Sequence, residues 1–351
     1  MSKFSYRKKI NLTKKIYNEL LNRNFKFEKY YRLAVRDLSK QIRTIGWSNK
    51  QLKKKKLLIA GGTGRYALAG LKLGFATVHY VDFAQNNIKR IKSIMLKNKL
   101  KNLYIHYGDI SNIDKILKNA KFDLIYCEGV LQHTVNETKV FKKLVIMMND
   151  QGKFYFDLYR SGIFYWFIVE LLRKLVNSKE YIKMKEKLKD LHLYNKKISF
   201  SNALLGERIL DDLFTPIVRY YSKEKIISNI KKSFYKIIYK DNFPLYHHSL
   251  ACHKVSRFII ANNNQASPTK INIKSISNYK IKYNENYIKI SKILFTNLIN
   301  KLKAKDIEII FKFIIDLFIK IEKWTKLKLS PKKLHEEFQK FILFWSAQAS
   351  V

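Results

Sequence analysis

The fold is decided by one stretch of the sequence, Leu57-Leu58-Ile59-Ala60-Gly61-Gly62-Thr63-Gly64-Arg65-Tyr66-Ala67. A short apolar run that suits a buried strand leads directly into a glycine-rich turn, and a helical pattern starts at Tyr66. Glycines at such a turn let the backbone approach a ligand closely and leave helix N–H groups pointing at it. The stretch therefore predicts a ligand-binding turn within an α/β domain.

Strands and helices alternate outward from this turn as far as Tyr159, and this rhythm predicts a parallel, doubly wound sheet. The expected strands are Leu57–Ala60, Thr77–Asp82, Leu103–Tyr107, Leu124–Cys127 and Lys153–Leu158, with two more at Phe234–Tyr239 and Ser256–Ile260. The expected helices are Tyr66–Leu73, Gln85–Asn98, Ile113–Lys118, Thr138–Met148 and Ser222–Lys232.

The segments around this core are predicted to be mainly helical. We expect a helical N-terminal cap over residues 1–50, the ligand-binding core over 51–160, a helical insertion or lid over 161–220, the end of the core sheet over 221–262, a polar linker over 263–284 and a helical C-terminal extension over 285–351.

The segment Glu308–Ile321 has a narrow polar stripe, because Glu308, Lys312, Asp316 and Lys320 recur every four residues between Ile, Phe and Leu. Such a helix must be covered on most sides. Packing within the chain is the simpler explanation, and a homodimer or membrane-surface contact through the C-terminal helices is the alternative.

The charge of the chain is strongly positive, with 70 Lys+Arg against 27 Asp+Glu and a net charge of +43. Such a balance is typical of proteins that bind nucleic acid or anionic membranes. Arg supplies only 12 of the basic residues, however, and the abundance of Lys, Ile and Asn is typical of an AT-rich genome. Since specific readers of phosphates and bases favour Arg, a nucleic-acid partner is considered but not favoured. With 47% apolar residues the chain is not globally disordered.

Two cysteines, Cys127 and Cys252, make no disulfide framework and indicate a reducing compartment. No apolar segment follows the basic stretch Met1–Lys9, and no uncharged apolar run reaches the ~18 residues of a spanning helix. We therefore expect a cytoplasmic protein without a signal peptide or a transmembrane segment.

Three further motifs follow predicted strands: Asp82 after the second, Gly108-Asp109 after the third and Phe122–Thr134 around the fourth. A strand-end carboxylate such as Asp82 can bind a ribose diol, which fits a nucleoside cofactor. Gly62-x-Gly64-x-x-Ala67 with Asp82 also satisfies the NAD fingerprint, so a nucleotide-sugar or NAD-dependent enzyme is one alternative. Asp109 and the Phe122–Thr134 stretch speak against that alternative.

These four motifs in this order resemble the class I S-adenosylmethionine-dependent methyltransferases, in particular the small-molecule enzymes of the ubiquinone/menaquinone-biosynthesis-like type. The resemblance covers roughly residues 50–160 and, more faintly, 205–260. It implies a seven-stranded Rossmann-like sheet and S-adenosyl-L-methionine as the cofactor.

The resemblance implies a role for each matching residue. It places Gly62 and Gly64 beside the methionine part of the cofactor, Asp82 at the ribose hydroxyls and Asp109 at the adenine amino group. The other cofactor residues that it implies are Ile110 against the adenine ring, Glu128 and Gly129 at the methionine side, and Ala60, Gly61, Thr63, Phe83 and Gly108 in the same motifs. Leu58 and Ala60 depart from the family pattern, which has an acid and a glycine there, and the missing acid removes a partner of the cofactor's ammonium group.

Some of these residues also have a purely structural explanation. Asp82 and Asp109 can cap the helices that follow them. Asp123 is expected to form a local cap or ion pair, and Cys127 is expected to be a buried strand residue without nucleophilic character.

The methyl acceptor is expected to meet residues just past the fourth and fifth strands. His133 is the candidate general base, although it can instead cap or pack the following helix. Tyr159 and Arg160 are second candidates, and Arg160 either clamps an anionic acceptor or pairs with an acid of the insertion. His247 and His248 are expected in the acceptor pocket. No metal site is expected, because the segment His247–His253 lacks the spacing of a zinc site.

The sequence thus predicts methyl transfer to a small-molecule acceptor or a glycan or lipid precursor. RNA methylation using the basic surface and a non-catalytic cofactor-binding module within an assembly are the alternatives.

Overall fold

The computed structural model describes residues 11–17, 27–161, 164–176, 180, 182–184, 186, 210–240, 255–262, 266–275, 285–327, 329 and 331–349. The chain divides into two compact units. The first unit comprises Met1–Tyr159, Pro216–Asp241 and Val255–Ile276, and the second comprises Arg160–Thr215, Asn242–Lys254 and Ser277–Val351.

The first unit is built on one seven-stranded sheet with the order β3-β2-β1-β4-β5-β7-β6. The strands are β1 (Lys56–Ala60), β2 (Thr77–Asp82), β3 (Leu103–Tyr107), β4 (Phe122–Cys127), β5 (Met148–Tyr159), β6 (Lys236–Lys240) and β7 (Val255–Ala261). Strands β1 to β5 are parallel, whereas β7 pairs antiparallel with both β5 and β6. The predicted α/β, doubly wound, Rossmann-like fold is confirmed.

The central strands read as nearly continuous apolar runs because both faces of the sheet are covered. Leu57 and Ile59 of β1 lie in the core on one face, and Leu58 and Ala60 lie in the core on the other. Strand β6 begins later than predicted, because Phe234 has a φ of +61° that does not fit an extended strand.

The first unit has eight described helices. They are α1 (residues 11–17), α2 (Phe27–Ile45), α3 (Asn49–Leu52), α4 (Arg65–Leu73), α5 (Gln85–Lys97), α6 (Ile113–Ile116), α7 (Glu137–Ile146) and, in chain order after α8 of the second unit, α9 (Lys223–Lys232). All of them except α1 contribute residues to the cores on these two faces. Ser222 caps α9 by accepting a hydrogen bond from the N–H of Lys225.

Residues 266–275, inside the segment predicted as a linker, pack against the core of the first unit. Ile271 and Ile273 are buried there, and the amide of Asn229 donates to the carbonyl of Asn272 at 2.6 Å. The described part of this segment is therefore packed onto the first unit by its apolar side chains and does not act only as a connection between neighbouring segments.

The second unit is helical in its described part, with α8 (Phe164–Leu172), α10 (Glu285–Lys303), α11 (Ile307–Lys326) and α12 (Pro331–Gln348). The predicted stripe on α11 faces outward: Glu308, Lys312 and Lys320 are exposed, while the residues between them are largely buried. This unit accordingly covers α11 on most sides, and Tyr165 of α8 contacts Phe318 edge-on. Within the described residues, no helix has the length and apolar character needed to cross a membrane.

Candidate active site

The parallel strands end at a common edge of the sheet, which brings the sequence motifs together. The turn after β1 has three glycines in the left-handed region, with φ of +86° at Gly61, +84° at Gly62 and +80° at Gly64. A Cβ at Gly61 would stand 2.7 Å from Val130, and one at Gly64 would stand 2.4 Å from Ile91. At Gly62 no described atom lies within 4 Å of that position, so the backbone there is open to a ligand.

Two side chains hold the backbone of this open turn by hydrogen bonds. The carbonyl of Gly62 accepts hydrogen bonds from the hydroxyl of Tyr80 at 2.7 Å and from the side-chain amide of Asn87 at 3.1 Å. Asn87 is fully buried, and its Oδ1 has no hydrogen-bond partner among the described residues. A buried acceptor of this kind is what a ligand donor or a water satisfies.

Asp82 ends β2 next to this turn and is buried. Its carboxylate accepts from the N–H of Ala84 at 2.5 Å and faces the amide of Asn87 at 3.5 Å. Burial raises the pKa of Asp82 to about 7, although the hydrogen bonds from Ala84, Asn87 and Gly62 act to lower it. Asp82 does not cap α5 itself, whose N-cap is Ala84.

Asp109 follows β3 and stands on the neighbouring loop, where the N–H of Gly108 donates to the carbonyl of Asp82 at 3.0 Å. Its Oδ1 accepts from the N–H of Ser111 at 2.9 Å and so caps the short turn Ile110–Asn112, which agrees with the structural explanation. Its other oxygen lies 3.3 Å from the ammonium of Lys14 in α1. Nothing in the sequence indicated this ion pair.

The loop after β4 carries Glu128 and Gly129. The hydroxyl of Tyr126 donates to Glu128 at 3.2 Å, and the N–H of Gly129 donates to the buried carboxylate of Asp157 on β5 at 2.7 Å. Gly129 has a φ of +68°, and no described atom lies within 4 Å of its Cβ position. Asp157 was not singled out from the sequence, since an acid inside an apolar strand has no motif of its own.

His133 stands just past β4, where the predicted general base was expected. Its Nδ1 lies 2.8 Å from the carbonyl of Ile217, so this nitrogen carries the proton and donates. Its Nε2 is then the accepting nitrogen and lies 3.2 Å from the hydroxyl of Tyr159. The cap of α7 is Asn136 rather than His133, so the capping explanation for His133 was wrong.

An ion pair between Arg219 and Glu137 fixes the segment that carries Ile217, the hydrogen-bond partner of His133. Arg219 donates to the buried carboxylate of Glu137 and, at 2.6 Å, to the carbonyl of Val135. The pair joins residues 216–221 to the start of α7 and thereby places Ile217 beside His133. Only the fold brings these distant residues together, so the sequence could not indicate the pair.

Helix α1 adds an aromatic side chain to the same region. The ring of Tyr17 contacts Phe83 edge-on at 6.1 Å and His133 at 5.6 Å, measured between ring centroids. The His133 ring in turn contacts Tyr159 at 5.2 Å. The N-terminal segment was predicted only as a helical cap, and none of its residues was a site candidate. The structure adds Tyr17 to the surroundings of His133.

The structure describes only some of the remaining candidates. Arg160 is buried and opens the second unit, whereas His247 and His248 lie outside the described residues. Ile110 is packed in the core. Asp123 forms an ion pair at 3.1 Å, but its partner Lys55 lies 68 positions earlier and is not the local partner that was expected. Burial raises the pKa of Cys127, consistent with an inert strand thiol. Among the described residues, no three His, Cys, Asp or Glu side chains are grouped so that they could hold a metal ion.

Comparison with known proteins gives the family. A family model described as a methyltransferase domain matches residues 53–241, just over half of the chain. No curated protein sequence matches the chain.

Several solved structures are similar in fold. They include PKMT2 from Rickettsia typhi, at 16% identity over 68% of this chain and 54% of that one with a TM-score of 0.46. An O-methyltransferase family protein from Burkholderia thailandensis has 8% identity over 68% and 59%, with a TM-score of 0.39. The YcgJ protein from Bacillus subtilis has 13% identity over 63% and 99%, with a TM-score of 0.40. The chain thus spans between a half and three fifths of the first two proteins.

The fold and the family model together define the class: residues 53–241 form a class I methyltransferase domain. The chain belongs to the methyltransferase-domain family through residues 53–241, and its cofactor is S-adenosylmethionine.

Proposed function

We propose that this chain methylates a protonated oxygen or nitrogen of a small-molecule acceptor or of a glycan or lipid precursor, with His133 as the general base. The observation that carries the proposal is the pair of contacts on His133. Because the Ile217 carbonyl accepts from Nδ1–H, the Nε2 lone pair accepts the hydrogen bond of the Tyr159 hydroxyl, and a proton can pass along this bond to the histidine.

The residues around the glycine turn suit the cofactor. The open Cβ positions at Gly62 and Gly129 and the buried acceptor oxygen of Asn87 provide room and a polar partner for it. Asp82 would bind the ribose hydroxyls, Asp109 the adenine amino group and Glu128 the ammonium group, in place of the acid that Leu58 replaces. When bound, the cofactor supplies a methyl group on a good leaving group, so positioning of the acceptor does most of the catalysis.

Within this scheme the acceptor gives its proton to the Tyr159 oxygen while Tyr159 passes its own proton to Nε2 of His133, so that His133 is the final base and Tyr159 orients the acceptor's polar atom. A base that is correctly placed contributes about 10²–10⁴-fold to such a step. Tyr159 is buried, so only an acceptor group that reaches into a recess of the surface can meet this pair. That requirement favours a small or slender acceptor over a folded duplex.

The proposal is tested with S-adenosylmethionine labelled on its methyl group. The full chain is incubated with separate pools of small metabolites, glycan and lipid precursors, and RNA, and the labelled pool is identified. We expect label in one of the first two pools, loss of labelling in His133→Asn, and unchanged binding of S-adenosylhomocysteine by that variant. Label in RNA alone would contradict the acceptor class. Cofactor binding without label in any pool would favour a non-catalytic module.

A further inference from the structure

Helix α1 lies across the loops that follow three successive strands of the first unit. The ammonium of Lys14 is 3.3 Å from Asp109 after β3 and 5.8 Å from the centre of the Phe83 ring after β2. Tyr17 contacts Phe83 and, after β4, His133. Thr13 and Ile16 are buried, so the helix is packed onto this edge rather than loosely attached.

The Lys14 contact occupies a group that the cofactor needs. One oxygen of Asp109 accepts from the N–H of Ser111, and the other faces Lys14. An adenine amino group is a hydrogen-bond donor, as an ammonium group is, so both seek the same carboxylate oxygens. A neutral amino group would therefore have to share the second oxygen of Asp109 with Lys14, whose ammonium is the stronger donor and offsets the carboxylate's charge.

We propose that Lys14 competes with the adenine of the cofactor for Asp109 and thereby limits the affinity for any adenosine ligand. The inference rests on the role given to Asp109 under the proposed function. It assigns to the N-terminal helix a part in cofactor binding that the glycine turn and strand-end acids do not reveal.

The size of the effect follows from the exposure of the pair. The side chains of Lys14 and Asp109 are 39% and 27% exposed, so water and salt screen their attraction. Partly exposed ion pairs of this kind change an equilibrium by about 1.5-fold to fivefold. The competition should consequently be clearest at low ionic strength.

The experiment compares the full chain with Lys14→Met by calorimetric titration with three ligands: S-adenosylmethionine, S-adenosylhomocysteine and adenosine. Since all three carry adenine, we expect Lys14→Met to bind each of them about twofold to fivefold more tightly at an ionic strength of about 0.02 M. The gain should shrink towards none at about 0.5 M salt. The matched control is Lys15→Met, which removes an exposed charge from the same helix and should leave the affinities nearly unchanged.

Four outcomes would overturn the inference while leaving the proposed function in place. Equal or weaker binding by Lys14→Met means that Lys14 does not compete. A gain for S-adenosylmethionine alone means that Lys14 only repels its sulfonium charge. An equal gain in Lys15→Met points to the general positive charge, and a gain that persists when Asp109 is replaced by Asn shows that the carboxylate is not contested. If none of the ligands binds any variant, the proposed function fails together with the inference; binding without a gain overturns the inference alone.

Discussion

The backbone N–H of Gly129 donates a 2.7 Å hydrogen bond to the carboxylate of Asp157, a residue 28 positions later on the neighbouring strand. This bond ties the loop after β4, where Glu128 and Gly129 lie, to the rigid interior of the sheet. The position of that loop therefore depends on a residue of β5 that belongs to none of the cofactor motifs.

The first prediction concerns this bond. Asp157→Ala leaves the Gly129 N–H without its acceptor, which should lower the free energy of unfolding by about 1–3 kcal/mol and weaken binding of S-adenosylhomocysteine. Asp157→Asn keeps an acceptor oxygen and should retain most of the affinity. Thermal denaturation and calorimetry measure both effects, with Asp150→Ala as an exposed control. Equal affinity in the Ala and Asn variants would show that the bond does not order the loop.

The second prediction concerns pH. Because burial raises the pKa of Asp82 to about 7, its carboxyl is largely protonated at pH 6 and ionised at pH 8. A ribose diol donates to the ionised form, so cofactor affinity should rise with pH through 7. Below pH 7 the affinity should fall by up to about tenfold per pH unit.

Titrations of S-adenosylhomocysteine between pH 6 and 8.5 test the role of Asp82. Asp82→Asn should bind weakly and lose this pH dependence, whereas Asp150→Asn should follow wild type. A flat profile in wild type would exclude titration of Asp82 as a determinant of binding.

The third prediction separates two glycines of one turn. Gly62→Ala places a methyl group in open space at positive φ, which costs about 1–2 kcal/mol and should also obstruct the cofactor. Gly64→Ala adds a clash with Ile91, worth about 1–3 kcal/mol more, so it should destabilise the fold more strongly. Gly74→Ala is the control, since Gly74 also has positive φ and open space but ends α4. Melting temperatures should show that both Gly62→Ala and Gly74→Ala remain folded. Ligand titrations should show weakened cofactor binding in Gly62→Ala and unchanged binding in Gly74→Ala.

The fourth prediction addresses the Arg219–Glu137 ion pair. Arg219→Met leaves the Glu137 carboxylate buried without its partner and should cost about 2–4 kcal/mol, less than a fully buried pair because Arg219 is partly exposed. Adding Glu137→Gln should recover part of this loss, because the remaining side chain carries no charge and can still accept from the N–H of Ser275. Urea denaturation of the two single variants and the double variant measures the coupling. Additive effects would mean that the two charges do not stabilise one another.

The sequence was informative where function leaves a local pattern. The glycine turn and the acids Asp82 and Asp109 each follow a strand directly, so their place at the sheet edge follows from counting strands. The same rhythm predicted strands β1 to β5, and the outward stripe on α11 followed from the spacing of Glu308, Lys312, Asp316 and Lys320.

The rest depends on contacts between distant segments. Lys14, Asp157 and Arg219 are single charged residues in a Lys-rich chain, and nothing next to them distinguishes them from surface charges. Their partners become neighbours only when the sheet forms. The proton position on His133 has the same origin, because it is set by the carbonyl of Ile217 and no backbone carbonyl has a sequence signature.

The antiparallel pairing of β5 with β7 also constrains how the chain can be made. Strand β5 keeps an unpaired edge until Val255–Ala261 have left the ribosome, after all of residues 160–254. At ordinary rates of synthesis that interval lasts about 5–20 s, during which an apolar strand edge is open to other chains. The sheet thus cannot be completed before β7 is synthesised. A chaperone would bind the open edge, and a partly folded intermediate would be populated, within this interval.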